Sequence, residues 1–246
     1  MDPAAPLLKS QSPTTLAEIA KMKNVPYREA VGSLMYAAMG TRPDIAFATS
    51  TVAQFFENPG QAHWEAVKQI FRYLKGTRNI SLVYRGEKGD LQGWVDADGA
   101  SQEHRRAISG YVFMVDGGAI SWSSKKQELV TLSTTEAEYV AVTHAAKEGM
   151  WLHALFGEVF PPESINKLTT IYSDNKSAIA LAHTGQYHAR TKHIDIQYHF
   201  IRYIIDTGSI KLIYCPTDKQ TADTLTKALP STKVKHFATA MGLREV

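Results

Sequence analysis

The chain has 246 residues, of which 44% are hydrophobic and 21% charged, with a formal net charge of +3. That composition excludes wholesale disorder, and no apolar run reaches the roughly 18 residues of a membrane span. A pI near 8.8 is compatible with a polyanionic partner without demonstrating one. The single cysteine, Cys215, excludes an internal disulfide framework and any cysteine-rich zinc module. With no basic-then-apolar leader, the expected setting is reducing and intracellular.

Residues 1–26 carry Pro3, Pro6, Pro13 and Pro26 as breakers. They read as a flexible leader with at most a short helix at Thr15–Lys23. From Tyr27 to Lys75 the period is helical, with Val31, Leu34, Met35 and Ala38 on one face and Val67, Ile70, Phe71 and Leu74 on another. Thr41-Arg-Pro-Asp44 and Asn58-Pro-Gly60 mark the turns. Residues 27–86 therefore read as a small helical connecting segment without chemistry of its own.

Beyond Ile80-Ser-Leu-Val-Tyr84 and a Gly-rich turn the period becomes two. Leu91–Ala97, Ile108–Val115 and Ala119–Ser124 predict three antiparallel strands, with Asp116-Gly117-Gly118 as a hairpin turn. A long helix follows from Thr134 to Val159. Next come a strand (Leu168–Ser173), a helix (Lys176–Ala182), a His-rich loop and a helix (Ile194–Asp206). A strand (Ser209–Cys215) and a last helix (Thr221–Leu229) end the set. Residues 87–246 thus predict an α/β domain, a mixed sheet flanked by helices.

Four acids stand where strands end or helices begin. Asp96 lies inside an apolar strand, where a carboxylate is costly unless it is paired or binds metal. Asp98, two residues on, starts a turn. Ser133 and Glu136 form a capping box, which gives Glu136 a structural task. Glu138, in the same helix, has none and is assigned to the site. Asp174 follows a strand and precedes a helix, so it is either an N-cap or a ligand at a strand's carboxyl end. Asp223 begins the last helix, where negative charge also suits the dipole. Hydrolysis of a phosphodiester by paired Mg²⁺ ions needs such a cluster, because hard cations prefer oxygen.

Ala119-Ile-Ser-Trp-Ser-Ser-Lys-Lys-Gln127, Leu132-Ser-Thr-Thr-Glu-Ala-Glu-Tyr139, Tyr172-Ser-Asp-Asn-Lys-Ser-Ala-Ile179, Arg190-Thr-Lys-His-Ile-Asp195, Tyr198-His-Phe200 and Ala222-Asp-Thr-Leu-Thr-Lys-Ala-Leu229 occur in this order. Together they closely resemble the ribonuclease H domain of copia-type long-terminal-repeat retrotransposons, with the match running through most of 27–243. The resemblance implies a five-stranded ribonuclease H-like sheet, preceded by the segment linking it to a reverse transcriptase in the Pol polyprotein. It carries the catalytic, metal-binding tetrad onto Asp96, Glu138, Asp174 and Asp223. It implies two Mg²⁺ ions, with Mn²⁺ as substitute, and endonucleolytic cleavage of the RNA strand of RNA–DNA hybrids. The Tyr-x-Asp-Asp hairpin of a polymerase is absent. Many cellular ribonucleases H carry a loop His before the last acid; Tyr214-Cys-Pro-Thr-Asp-Lys-Gln220 has none, which bears on turnover.

His183, His188, His193 and His199 suggest zinc, but their spacing suits no helical His pair and packing or phosphate contact is the better reading. Arg190 and Lys192 are natural phosphate contacts, and Ser133 and Thr134 candidate donors to a sugar–phosphate backbone. Expected partners are an RNA–DNA hybrid and the reverse transcriptase of the same polyprotein, with no membrane and no small-molecule cofactor. The expected location is cytoplasmic, in a virus-like particle, or nuclear. The alternative is a catalytically inactive ribonuclease H-like nucleic-acid-binding or interaction module. An integrase-like nuclease ranks last, because its third acid is a Glu and the late acid here is Asp223.

Overall fold

The structure, a computed structural model, describes residues 5–86, 90–99, 106–161, 168–184 and 195–246. They form two compact units: Met1–Val83 with Lys227–Val246, and Tyr84–Thr226. The second unit is thus inserted in the sequence of the first.

In the first unit, helices α1 (Leu16–Met22), α2 (Tyr27–Gly40), α3 (Ala46–Ala53) and α4 (Gln61–Gly76) are followed by strand β1 (Ile80–Leu82). Val31, Leu34 and Ala38 of α2 meet Val52, Phe55, Val67 and Ile70 in one core. Each such apolar side chain contributes roughly 1.5–3 kcal/mol on burial. Met35 and Phe71, expected on the inner faces, lie at their margins and are each 39% exposed. Arg42 and Asp44 are buried as a bidentate pair at 2.9 and 2.7 Å, closed by hydroxyls of Tyr73 and Thr77. Those bonds satisfy a pair of charges that burial would otherwise make costly.

The stretch read from the sequence as a flexible leader packs against the start of α4. Gly60 caps that helix without a side chain, and a Cβ there would fall 2.0 Å from the Gln11 carbonyl oxygen. His63 Nδ1 accepts the Gly60 amide at 2.8 Å, and its Nε2 lies 3.1 Å from the Leu8 carbonyl oxygen, so the proton sits on Nε2. The imidazole also stacks on Phe55.

The second unit holds strands β2 (Gln92–Asp98), β3 (Ile108–Val115), β4 (Gly118–Lys126), β5 (Thr169–Ser173) and β6 (Ile210–Tyr214) in one sheet of order β4-β3-β2-β5-β6. β3 is antiparallel to β2 and β4, while β5 lies parallel to β2 and β6. Asp116 (φ 53°) and Gly117 (φ 74°) turn β3 into β4, two left-handed residues that suit the right-handed strand twist. Helices α5 (Thr134–Val159), α6 (Lys176–Thr184) and α7 (Asp195–Asp206) complete the unit. Tyr139, Val140, Ala145 and Leu152 of α5 share a core with Val95 and Phe113.

One expected helix is corrected. Thr221–Leu225 is a short 3-10 turn with all five residues buried, not the start of a helix to Leu229. An element buried all round has no polar face to show a helical period, and Pro230 stops any continuation. A separate helix, α8 (Ser231–Ala240), follows Pro230, and strand β7 (Leu243–Glu245) pairs antiparallel with β1, Ile80 opposite Glu245. Neither was expected from the sequence.

Candidate metal centre

The parallel register of β2 and β5 sets the site. Trp94 is paired with Tyr172 and their rings stack at 5.2 Å. Two residues beyond each ring stand Asp96 and Asp174, on the same face of neighbouring strands by the alternation of the pleat. Asp223 arrives from the 3-10 turn. Asp96, Asp174 and Asp223 can bring carboxylate oxygens within 4.8 Å of one another, and Asp96 and Asp223 are buried.

The surroundings explain how the acids come to face one another. Asn175 caps α6, accepting the Ala178 amide at 2.9 Å, so Asp174 has no capping task. Asp174 instead accepts the Thr217 hydroxyl at 2.7 Å. Thr226 donates its hydroxyl to Asp96 Oδ2. Gln220, fully buried, donates to the Val95 carbonyl at 3.0 Å. Sequence reasoning missed Thr217, Gln220 and Thr226; they are small polar residues among many, and only the fold shows what they touch.

Glu138 is buried in the second turn of α5, outside the group of three. The pleat accounts for this. Phe113 pairs with Gly93 and packs with α5, whereas Asp96 is an odd number of residues from Gly93 and faces the opposite side. Glu138 therefore belongs to one layer and Asp223 to the other. Glu136 does what a cap should: Ser133 Oγ accepts its amide at 3.2 Å and its carboxylate accepts the Leu132 amide at 2.7 Å.

The donor set fits a hard divalent cation, because all three converging side chains offer oxygen. Cys215 borders the site, its amide bonded to the Ser173 carbonyl. Burial, with the nearby Asp174, Asp223, Asp96 and Asp218, pushes its thiol up to about 11. Its sulfur is also a soft donor, poorly matched to a hard cation.

Ser133 and Thr134 are exposed at the start of α5. Arg190 and Lys192, with His188 and His193, lie outside the described residues; His183 and His199 are exposed. Among the described residues no helix is long and apolar enough to cross a membrane.

No family model matches the chain. It is 47% identical over 238 residues to a retrovirus-related Pol polyprotein from transposon TNT 1-94 of Nicotiana tabacum, covering 96% of this chain and 18% of that protein. It is 39% identical over 222 residues to the polyprotein from transposon RE1 of Arabidopsis thaliana, covering 89% and 15%. The chain belongs to the copia-type retrotransposon Pol family. This Pol segment spans less than a fifth of the length of those relatives. It is also 47% identical over 133 residues to secreted RxLR effector protein 161 of Plasmopara viticola, covering 53% of this chain and 94% of that protein.

Two solved structures resemble this Pol segment. A foamy viral protease–reverse transcriptase in complex with double-stranded DNA is 14% identical, with 82% of this chain and 35% of that chain covered and a TM-score of 0.51. At that identity the likeness speaks for fold alone. Ribonuclease H1 from Halobacterium salinarum is 18% identical, covering 56% and 95%, with a TM-score of 0.41. The second unit is a five-stranded mixed sheet with flanking helices.

Proposed function

We propose that the chain is a ribonuclease H that hydrolyses the RNA strand of RNA–DNA hybrids during retrotransposon reverse transcription. The observation that carries this is the convergence of Asp96, Asp174 and Asp223 from three separate elements. Grouping carboxylates in a largely buried position opposes their mutual repulsion, and a structural role alone gives no return for it.

Asp96, Asp174 and Asp223, joined by Glu138 across the strand end, would hold two Mg²⁺ ions, or Mn²⁺ in their place. Such ions activate water and stabilise the leaving oxygen of a phosphodiester. The chain's own residues do the placing. Asp96 is fixed within a strand, Asp174 is oriented by Thr217, and Glu138 projects from the rigid early turns of α5. Ser133, Thr134, Arg190 and Lys192 are assigned to the sugar–phosphate backbone. We assign the nuclease proper to Tyr84–Thr226 and the flanking unit to connection with the reverse transcriptase of the same intracellular polyprotein.

The test is cleavage of an end-labelled hybrid by the purified chain. Mg²⁺ or Mn²⁺ is expected to support internal cuts in the RNA strand, and Ca²⁺ is not, since its larger, looser shell misplaces the attacking water. Asp96→Asn should abolish the cuts. Undiminished cleavage in EDTA would defeat the proposal.

One observation favours a second reading, a binding module without catalysis. The Plasmopara protein is 94% covered by this chain, so sequence of this family also occurs apart from a polyprotein. Hybrid binding without cleavage under any of these metals would favour that reading.

A further inference from the structure

The turn bearing Asp223 is tied to the strand bearing Asp96 by residues that are not themselves acidic. Gln220 donates to the Val95 carbonyl, one residue before Asp96, and its Oε1 lies 3.4 Å from the Ala222 amide. Thr226, also fully buried, has its Oγ1 beside Asp96 Oδ2 and 3.2 Å from the Asp223 carbonyl oxygen. A hydroxyl has one proton to give. The carboxylate, charged and nearer, takes it, since hydrogen bonds to ionised acceptors are the stronger ones.

This closure needs room on the neighbouring strand. Gly110 lies directly opposite Asp96 in the β2–β3 register. A Cβ at Gly110 would come within 2.7 Å of Thr226 Cγ2 and 2.8 Å of Leu225 Cβ. The missing side chain is the space into which the turn descends, and it lets a hydroxyl from the turn reach the strand's carboxylate.

We propose that Thr226 is a positioning residue of the metal site, holding one oxygen of Asp96 so that the carboxylate faces Asp174 and Asp223 before any cation arrives. Three carboxylates this close repel, and a buried acid without an anchoring donor would turn away or take up a proton. Groups that orient metal ligands from behind govern affinity nearly as strongly as the ligands do. The inference rests on the hydrolytic reading for the existence of the metal site, but its test is binding, not turnover.

Mn²⁺ is titrated calorimetrically into the full chain, without nucleic acid, for wild type, Thr226→Val and Thr226→Ser, and thermal midpoints are taken in EDTA. Thr226→Val keeps the shape and loses the hydroxyl; its Mn²⁺ affinity should fall about tenfold or more, while Thr226→Ser should stay within about twofold of wild type. A purely structural Thr226 would lower the midpoint in EDTA and leave Mn²⁺ affinity of the folded protein unchanged. Wild-type affinity in folded Thr226→Val overturns the proposal. Should the valine variant fail to fold, the serine variant decides: a tenfold loss with the hydroxyl retained overturns it equally. A wild-type chain that binds no Mn²⁺ overturns both this inference and the hydrolytic reading. Weakened binding in Thr226→Val, with wild type binding Mn²⁺ yet cutting no hybrid, sustains the positioning role and defeats only the hydrolysis.

Discussion

Asn175 Oδ1 accepts the Ala178 amide at 2.9 Å, and the neighbouring Asp174 is thereby relieved of capping α6. The two residues should separate stability from activity. Asn175→Ala is expected to cost about 1 kcal/mol of stability, the usual loss of an N-cap, with cleavage retained at saturating hybrid. Asp174→Asn should unfold at nearly the wild-type urea concentration and lose cleavage. The opposite pattern would return Asp174 to a structural task.

Glu136 and Glu138 offer a second separation on one helix. The Glu136 carboxylate accepts the Leu132 amide, which a Gln carbonyl can also do, so Glu136→Gln should keep its activity. Glu138→Gln keeps the volume and removes a proposed metal ligand. Cleavage is expected to vanish while the circular dichroism spectrum is preserved. Equal damage from both substitutions would remove Glu138 from the site.

The His63 imidazole gives the first unit a pH dependence. Burial pulls its pKa below the ordinary 6.5, against the opposing pull of its hydrogen bond to Leu8. The unfolded chain therefore takes up the proton more readily, and stability present above pH 6.5 is lost as pH falls from there through the folded-state value. Protonation also turns Nδ1 into a donor and ends its bond with the Gly60 amide. Urea unfolding of wild type should weaken between about pH 7.5 and pH 5.5, straddling the ordinary imidazole value. His63→Gln, which can cap Gly60 without titrating, should flatten that slope; an unchanged slope would place its origin elsewhere.

Truncation tests the division of the chain. A polypeptide of Tyr84–Thr226 contains all four proposed ligands and none of the first unit. It should cleave hybrid at high enzyme concentration, with weaker binding because phosphate contacts are fewer. A polypeptide of residues 87–246 keeps β7 but lacks β1, its strand partner, and should be the less soluble of the two. Single-turnover cleavage, after circular dichroism shows folding, compares them. A folded Tyr84–Thr226 that cuts nothing would mean the first unit completes the site.

Much of this was legible in the sequence where one physical signal dominated. Ile108–Val115 and Thr134–Val159 have the bounds that period and capping predict, the strand ending at the Asp116-Gly117 turn and the helix starting at the Ser133 cap. Asp96 stood out as a costly residue in an apolar strand, whereas Glu138, Asp174 and Asp223 were singled out by their places at helix starts and a strand end and by the resemblance. What stayed hidden was whatever depends on two distant pieces meeting. The buried turn at Thr221–Leu225 has no amphipathic period to read, and Asn175 competes with Asp174 for the same cap. In α8 and its C-cap, Val234, Phe237, Ala238 and Met241 do follow helical spacing after Pro230, a signal that could have revealed it. Gly110 looks like a strand defect until the turn that fills its space is seen.

The pairing of β1 with β7 carries a consequence for how the chain is made. Ile80 leaves the ribosome well before its partner Glu245, with the whole inserted unit synthesised between them. At the usual 5–20 residues per second, roughly ten to thirty seconds separate the two strands. The inserted unit can assemble its sheet during that interval, while the first unit waits with an unpaired edge. The enclosing unit, although begun first, is therefore finished last.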